Sequence, residues 1–490
     1  MTAELHQSIN NAAFVTPECE RVFIDFLYEK LGLVIKSHQL KSLHDGIDKG
    51  CRQFGHLRWQ DYFEALKQSD STSSEMEQLI AAVTIGESYF FRDQNQIAWL
   101  RDIWLPQIIE QRRSKGEKYL RIWSAGCSSG QELYTMAILL AEALPDLGEW
   151  KIHLMGTDIN AAVLSRALHG HYSSWSFRAT PEAVRDRYFF SQEYGYTIND
   201  NLRQMPLFTF LNLADDEYPS ILTQTNAMDL ILCRNVFIYF DKRVVNMVMH
   251  RFSRSLLPGG VLMLGASDLV ASGMDSLRLV QHGNIFYYHN SIKEENHTTP
   301  IPSKKHTSDR RKIRHVSAEP AQPVIDDTLH EMLHGGRWHE ALSHIEVAIK
   351  QQGKTAPLLQ HKAKVMANLG DLQAAKALCE ESLGLDPLDM HTYFLKAMVL
   401  IELGDDQGAE SSLRKTIYLE PCFVESHFQL GLLLIRCERV AAGKKALHNA
   451  LRLARSAPPE GELHHAAGMT FKRFVEILEH EMEIYAGEFN

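Results

Sequence analysis

The sequence has few of the features that mark secreted, membrane-spanning or metal-binding proteins. Its seven cysteines are scattered and include no C-x-x-C pair, which argues against a disulfide framework and a zinc site. No run of about 18 apolar residues occurs, so no membrane-spanning helix is expected. The first residues lack a basic start followed by an apolar core, and so predict no signal peptide. These absences predict a cytoplasmic protein with no membrane insertion and no bound metal.

Acidic residues outnumber basic ones. The chain has 51 Lys and Arg against 61 Asp and Glu, a formal net charge of −10. Nucleic-acid binding depends on Lys and Arg that neutralise phosphates, so nucleic acid is not an expected partner. Hydrophobic residues make up 45% and charged residues 23%, an ordinary globular balance that excludes wholesale disorder. At roughly 100–200 residues per domain, the length predicts two to four domains.

One polar stretch divides the chain. Residues 291–323 are rich in charge, Ser, Thr and Pro and show no apolar periodicity, so they predict a flexible linker. The linker separates an N-terminal body from a C-terminal part, residues 324–490. Within the body, residues 14–85 show apolar spacing of helical period and no convincing strand, which predicts a helical domain. The remaining residues, 86–290, form a second predicted unit.

The C-terminal part carries an internal repeat of 34 residues. Glycines, alanines and prolines recur at that spacing, namely Gly336, Gly370 and Gly404, then Ala341, Ala375 and Ala409, then Pro387 and Pro421. A 34-residue helical period with small residues at packing positions resembles the tetratricopeptide (TPR) repeat. Glu438 stands where a fourth glycine would be expected, which indicates a terminal, capping unit. We therefore expect an all-α TPR solenoid that binds a protein or peptide partner.

From about residue 119 the pattern changes to short apolar runs separated by helical stretches. The runs are YLRIWS, KIHLMGT, LFTFL, MDLILC and GVLMLG, and a closing strand pair, LRLVQHGNIFYYH, follows. This order predicts an α/β fold with a doubly wound, Rossmann-like parallel sheet. The first run leads into a small-residue turn, residues 124–132, and then a helix. The second run ends in Asp158. Such a turn followed by an acid indicates S-adenosylmethionine (SAM), although a tight turn with a solvated carboxylate is the alternative.

Two further segments sharpen this interpretation. Glu87–Asp93 (ESYFFRD) precedes the sheet, and Cys233–Asp241 (CRNVFIYFD) follows its fourth strand. The aromatic pair before Arg92 also fits plain packing with a surface charge. Together with SAGCSSGQELY, GTDIN and LNL, these motifs resemble the CheR family of chemoreceptor glutamate methyltransferases over roughly residues 14–290. Where that family commonly reads G-E-E-P-Y, this chain has Gly130–Tyr134 as GQELY, which leaves the role of Gln131 open.

The resemblance implies a fold, an activity and a set of site residues. Residues 14–85 would dock the receptor and residues 86–290 would form the SAM-dependent methyltransferase domain. The products would be glutamate methyl esters on the cytoplasmic domain of methyl-accepting chemotaxis receptors, and S-adenosylhomocysteine. The implied catalytic residues are Arg92 and Tyr239. The implied cofactor-binding residues are Arg92, Gly126, Glu132, Asp158, Asn212, Leu213, Arg234 and Asn235.

Other classes of function are compatible with parts of the chain. A nucleic-acid methyltransferase would need a basic surface and often a [DN]-P-P-Y loop, and both are missing. A small-molecule methyltransferase with a TPR partner module would share the fold, but it would leave the FFRD motif unexplained. A SAM-binding signalling scaffold without catalysis would make the TPR repeats the working part. Residues 186–205 match the place of the family's small β-subdomain, and their shortness favours recognition that is independent of the receptor tail.

Overall fold

The computed structural model describes residues 15–69, 73–84, 86, 88–214, 218–220, 223–268, 276–291, 327–334, 337–465 and 469–486. Glu87, Gly336 and all of the predicted linker beyond Ser291 lie outside the described residues. No helix in the described ranges combines the length and the apolar character that a membrane crossing requires.

The N-terminal region is helical, as the sequence predicts. Thr16 caps the first helix by accepting the Cys19 N–H at 3.2 Å, and Gly32 ends it in the left-handed conformation at φ 72°. The helices pack around a buried apolar core that includes Phe23 and Tyr62. Their bounds are α1 Pro17–Leu31, α2 Leu40–Gln53, α3 Trp59–Gln68 and α4 Ser74–Val83.

A mixed α/β body follows. Its helices are α5 Gln94–Trp99, α6 Leu105–Ser114, α7 Gln131–Ala143, α8 Ala161–His169, α9 Glu182–Tyr188, α10 Asp200–Arg203 and α11 Lys242–Ser255. Its strands are β1 Tyr119–Ala125, β2 Lys151–Asp158, β3 His171–Tyr172, β4 Phe189–Gln192, β5 Gly195–Ile198, β6 Pro206–Phe210, β7 Met228–Cys233, β8 Leu256–Leu264, β9 Leu277–His282 and β10 Ile285–Asn290. All the predicted strands are present.

Seven strands form one sheet in the order β6-β2-β1-β7-β8-β10-β9. The first five are parallel, β10 is antiparallel to β8, and β9 is antiparallel to β10. The chain proceeds outward from β1 to β2 and β6, and then returns to β7 on the other side of β1. The strand order therefore reverses between β1 and β7, and such a reversal opens a ligand crevice beyond the carboxyl ends of the strands. The predicted doubly wound fold is confirmed.

A second, small sheet has the order β3-β5-β4 and is antiparallel. Strands β4 and β5 lie within residues 186–205, the segment that the sequence assigns to a small β-subdomain, and β3 precedes that segment. Phe189 of β4 is buried and packs edge-on against Phe90 at 4.9 Å. This sheet therefore contacts residues 90–93, which we call the FFRD turn.

The C-terminal part is an array of helix pairs, as predicted. Gly370 and Gly404 make the turns within two pairs at φ 87° and 68°, and Glu438 adopts φ 59° at the equivalent turn of the next. The repeat therefore keeps its left-handed turn even where its glycine is replaced. The bounds are α12 Asp327–His334, α13 Trp338–Gln352, α14 Ala356–Asn368, α15 Leu372–Leu385, α16 Met390–Glu402, α17 Asp406–Leu419, α18 Val424–Arg436, α19 Val440–Ser456 and α20 Phe471–Ala486.

The array packs against the amino ends of the sheet strands. Glu402, at the end of α16, forms a buried ion pair with Arg121 of β1. At the turn glycines, a Cβ added to Gly370 would lie 2.8 Å from Leu257, and one added to Gly404 would lie 3.2 Å from Lys151. The array thus contacts the edge of the sheet opposite the ligand crevice.

Candidate functional site

A cavity of about 270 Å³ lies at the carboxyl edge of the sheet, between the sheet and the N-terminal helices. The structure brings every residue that the sequence assigns to the site to the wall of this one cavity. These residues are Arg92, Gly126, Glu132, Asp158, Asn212, Leu213, Arg234, Asn235 and Tyr239. They come from five separate segments of the chain, so the fold, and not sequence proximity, assembles them.

The turn after β1 forms the floor of the cavity. Gly126 adopts φ 81°, and a side chain there would collide with Val236. The N–H groups of Gly126 and Cys127 both donate to the Thr157 carbonyl, at 2.8 and 2.9 Å. Glycine is therefore required at this position, both for the left-handed turn and for the close approach of the neighbouring loop.

Asp158 ends β2 and presents its carboxylate to the cavity. One oxygen accepts the Ser128 N–H at 2.9 Å and the other accepts the Asn160 N–H at 2.9 Å. Burial raises the pKa of Asp158, and these backbone donors oppose the rise. Each carboxylate oxygen has further lone pairs. The arrangement fixes an acceptor that suits a pair of hydroxyl groups.

Asn212 and Leu213 follow β6 and form the wall next to Asp158. The Leu211 N–H donates to the Asp158 carbonyl at 3.1 Å, which ties the two segments together. Asn212 is 4% exposed, and its side-chain oxygen accepts the Ala214 N–H at 3.0 Å. The Leu213 carbonyl accepts from the buried Arg251 guanidinium at 3.1 Å. These bonds hold the segment in a fixed conformation.

Glu132 and Arg234 form a buried ion pair across the cavity, with Nε and Oε2 2.5 Å apart. The Ser124 hydroxyl donates to the other Glu132 oxygen at 2.6 Å. Arg234 also donates to the Arg92 carbonyl at 2.7 Å and to Gln96 Oε1 at 3.1 Å. The network joins the ends of β1 and β7 to the FFRD turn. Sequence reasoning names Glu132 and Arg234 as separate contacts and misses both their pairing and Gln96.

The FFRD turn combines packing with a cavity-lining arginine. Phe90 is fully buried and stacks on Phe177 at 4.9 Å, so the packing interpretation is right for this residue. Phe91 and Asp93 have φ values of 58° and 61°, and Asp93 caps α5. Arg92 lies between these left-handed residues and lines the cavity, with its guanidinium 5.5 Å from the Tyr89 ring.

The loop after β7 is held in place by Asp268, which the sequence interpretation misses. Asn235 has φ 62°, and its N–H donates to the 3% exposed Asp268 carboxylate. A Cβ on Gly265 would lie 2.8 Å from that carboxylate, so glycine is required for this approach. Asp268 follows strand β8 at the carboxyl edge of the sheet, and an acid at that place is the pattern that could have revealed it.

The N-terminal helices close the remaining side. The Val34 N–H donates to the Tyr239 carbonyl at 2.8 Å, and the Tyr28 hydroxyl donates to Asp241 at 2.8 Å. Asp241 also caps α11 through the Val244 N–H. The helical region is therefore bonded directly to the loop that carries Tyr239.

Nucleophilic cysteine chemistry does not fit the site. Cys127 and Cys233 are buried, and burial raises the pKa of both thiols well above its ordinary value. Over the described part of the chain, no three His, Cys, Asp or Glu side chains group closely enough to hold a metal ion.

The cavity suits SAM in the chemistry of its walls. Asp158 offers a fixed acceptor for ribose hydroxyls, and the turn at Gly126 allows close backbone approach. Glu132, Arg234 and Arg92 place charges of both signs at the other end, as a ligand with an amino group and a carboxylate requires.

Comparisons with known protein families also indicate SAM as the cofactor. The family model described as CheR methyltransferase, SAM binding domain, matches residues 86–285. A tetratricopeptide repeat model matches residues 356–387 and 391–421. A thermophilic TPR protein of Thermus thermophilus has 20% identity over 33% of this chain and 88% of that one. Its TM-score is 0.26, too low to support an argument.

Three relatives illustrate the similarity. Chemotaxis protein methyltransferase 2 of Vibrio cholerae is 32% identical over 50% of this chain and 83% of that protein. Chemotaxis protein methyltransferase 1 of Pseudomonas aeruginosa is 30% identical over 53% of this chain and 93% of that protein. The probable biofilm formation methyltransferase WspC of Pseudomonas putida is 26% identical over 76% of this chain and 84% of that protein. The chain belongs to the CheR family of SAM-dependent methyltransferases and carries C-terminal TPR repeats.

Proposed function

We propose that this chain methylates glutamate side chains on the cytoplasmic domain of methyl-accepting chemotaxis receptors. The observation that carries the proposal is that Arg92 and Tyr239 line the same cavity as the acidic and amide residues expected to hold SAM. Relatives named chemotaxis protein methyltransferase support this substrate class.

The proposed reaction does not require the protein to remove a proton from the substrate. A glutamate carboxylate has an ordinary pKa of about 4.3 and is already ionised at neutral pH. When bound, SAM supplies a sulfonium methyl group that a carboxylate oxygen can attack directly. A general base is therefore unnecessary, and the task of the residues is to align the reacting atoms and to exclude water.

We assign the alignment of the substrate to Arg92 and Tyr239. The guanidinium of Arg92 would balance the incoming carboxylate, and the Tyr239 hydroxyl would orient it. Arg92 is held by the Arg234 bond to its carbonyl, and Tyr239 by the Val34 bond to its own. The backbone of both residues is thus held by contacts that the substrate does not have to form.

We assign cofactor binding to the rest of the cavity wall. Asp158 would accept the ribose hydroxyls, Asn212 and Leu213 would face the adenine, and Gly126 would allow backbone approach. Glu132 would accept from the amino group of the methionine part, with Arg234 and Asn235 at the methyl-transfer end. The buried pairing of Glu132 with Arg234 supports treating those two residues as one unit.

The N-terminal helices would dock the receptor. Their contact with the Tyr239 loop supports this role, because a helix bound there would lie beside the reacting end of the cavity. For the TPR array we propose a protein-binding role in partner choice or localisation. The match to WspC, which is named for biofilm formation, covers 76% of this chain. This is more than the methyltransferase domain of this chain alone. This supports surface-linked signalling as the second candidate pathway beside motility.

The experiment is methylation of receptor-containing membranes with tritiated SAM, followed by measurement of alkali-labile methyl release, which esters give. We expect labelled receptor, and we expect Arg92→Ala and Tyr239→Phe to lower the rate more than they lower SAM affinity. Equal losses of rate and affinity would make the two residues cofactor contacts only. Label on a small molecule, or no label at all with SAM bound, would refute the assignment of substrate.

A further inference from the structure

The first helices of the third and fourth repeats share a set of equivalent positions. His391 and Phe394 on α16 lie 34 residues before Glu425 and Phe428 on α18. First helices contact each other across the repeat boundary, as α14 and α16 do, which places them on the inner side of the curved array. We call the surface formed by these four side chains the inner groove. An inner groove is where such arrays usually bind a peptide.

The inner groove is filled by a segment of the same chain. We call Glu462–His465, which follows α19, the internal strap. Glu425 accepts the N–H of His464 at 2.8 Å and that of His465 at 3.4 Å with a single carboxylate oxygen. The strap also bonds to the chain just before α20, because the Leu463 N–H donates to the Met469 carbonyl at 2.9 Å.

Side chains of the strap enter the groove as well. The His465 imidazole is 3.1 Å from a ring nitrogen of His391, and its ring lies 4.7 Å from that of Phe394. The His464 ring stacks on Phe423 at 6.0 Å. Leu463 is only 4% exposed. The strap thus has the bonding pattern of a bound extended peptide.

Helix α20 continues this coverage. Phe474 is 1% exposed and packs edge-on against Phe428 at 5.1 Å. Glu425 itself is 1% exposed, and burial raises its pKa. A buried carboxylate needs donors, and the strap supplies two. The groove therefore has a polar requirement that a bound segment must meet, in addition to its apolar walls.

We propose that the inner groove is a peptide-binding surface and that the internal strap is its resident ligand. A partner acting at this groove would be an extended segment that offers two consecutive N–H groups to Glu425 and an aromatic or imidazole side chain to Phe394. It binds only after the strap has left, so the array is closed to partners in the form described. This proposal rests on the proposed protein-binding role of the array and deepens it. The tests below measure hydrogen exchange and peptide binding, which do not depend on methylation.

The first test is hydrogen exchange on the full chain. The wild-type strap amides should be protected at neutral pH, and Glu425→Ala should speed exchange of the His464 and His465 amides by about tenfold or more, because these two lose a bond to a carboxylate. The matched control is Glu381→Ala, which changes an exposed glutamate of α15. Exchange in α14, Ala356–Asn368, reports on intact folding of the array. Strap amides that exchange at free-peptide rates in the wild type would overturn the proposal.

The second test supplies the ligand from outside. The probe is a labelled synthetic peptide with the sequence of residues 458–474. It should bind the full-length His465→Ala variant at least about tenfold more tightly than the wild type, whose groove is already filled. Adding Glu425→Ala to that variant should remove the gain. Equal binding to wild type and variant, or no binding to either, would overturn the proposal, and binding of a helical peptide instead would overturn the extended geometry.

The third test uses pH. Burial lowers the pKa of His391 and lowers that of His465 well below its ordinary value. The closed form, with the strap in the groove, therefore binds fewer protons than the open form, in which the strap has left. The closed form becomes less stable relative to the open form as the pH falls below the ordinary histidine pKa of about 6.5. Strap protection, corrected for chemical exchange, should be lower at about pH 6 than at about pH 8. Equal protection would refute the link. The charged and titratable groups facing these rings are Lys364, Asp389, Glu425 and His464.

Discussion

The ion pair between Glu132 and Arg234 provides the sharpest quantitative prediction about the site. The two side chains are 11% and 6% exposed. Removing one partner of a buried pair lowers the free energy of unfolding by about 3–5 kcal/mol. Here each partner keeps other contacts, because Ser124 still donates to Glu132 and two neutral acceptors remain for Arg234. These contacts should keep either single variant folded. We expect Glu132→Gln to weaken binding of S-adenosylhomocysteine by about 2 kcal/mol, or about thirtyfold, because the amino group of the ligand loses a charged acceptor.

A double-mutant cycle measured by calorimetric titration tests this reasoning. Arg234→Gln should cost about as much as Glu132→Gln, and the double variant should lose little more than either single one. The coupling energy would then be about 2 kcal/mol. Glu149→Gln, at a pair on the surface with Lys118, is the matched control and should leave affinity unchanged. Losses that simply add, with a coupling below about 0.5 kcal/mol, would refute the view that the pair acts as one unit.

Three further substitutions test other parts of the account. Asp158→Ala should weaken SAM binding by about 1–2 kcal/mol in calorimetry, because ribose hydroxyls lose a charged acceptor, and an unchanged affinity would remove it from the site. Asp268→Asn should lower the methylation rate more than SAM affinity, since it loosens the loop that carries the reacting end; normal turnover would contradict its positioning role. Glu402→Gln removes the carboxylate that the array places against the buried Arg121 and should speed hydrogen exchange in residues 119–125, whereas unchanged exchange would show that the array contact contributes nothing.

Much of the fold could be predicted because its signals are local. Strands such as MDLILC, in which every residue is buried and only Asp229 is polar, read as nearly continuous apolar runs. The repeat in the array follows from spacing alone. Its turn is kept at Glu438, whose φ of 59° shows that the surrounding helix pair, and not the glycine, dictates the conformation.

What the sequence could not supply are contacts between distant segments. Glu132 and Arg234 are 102 positions apart, and no pattern in either segment predicts that they pair. Asp268 acts on a loop 33 positions earlier through one carboxylate. The sequence also predicts an array set apart by its linker, yet Glu402 reaches Arg121 of the sheet. Such contacts depend on how the elements pack, which spacing along the chain does not encode.

The central claim concerns the chemical group that receives the methyl. The most direct measurement is mass-spectrometric mapping of receptor after incubation with SAM and the full chain, with the Arg92→Ala variant alongside. We expect methyl esters on glutamate side chains of the cytoplasmic receptor domain that alkali removes, and far fewer of them with the variant. Methyl groups on nitrogen, methyl groups that resist alkali, or equal methylation by the variant would contradict the claim.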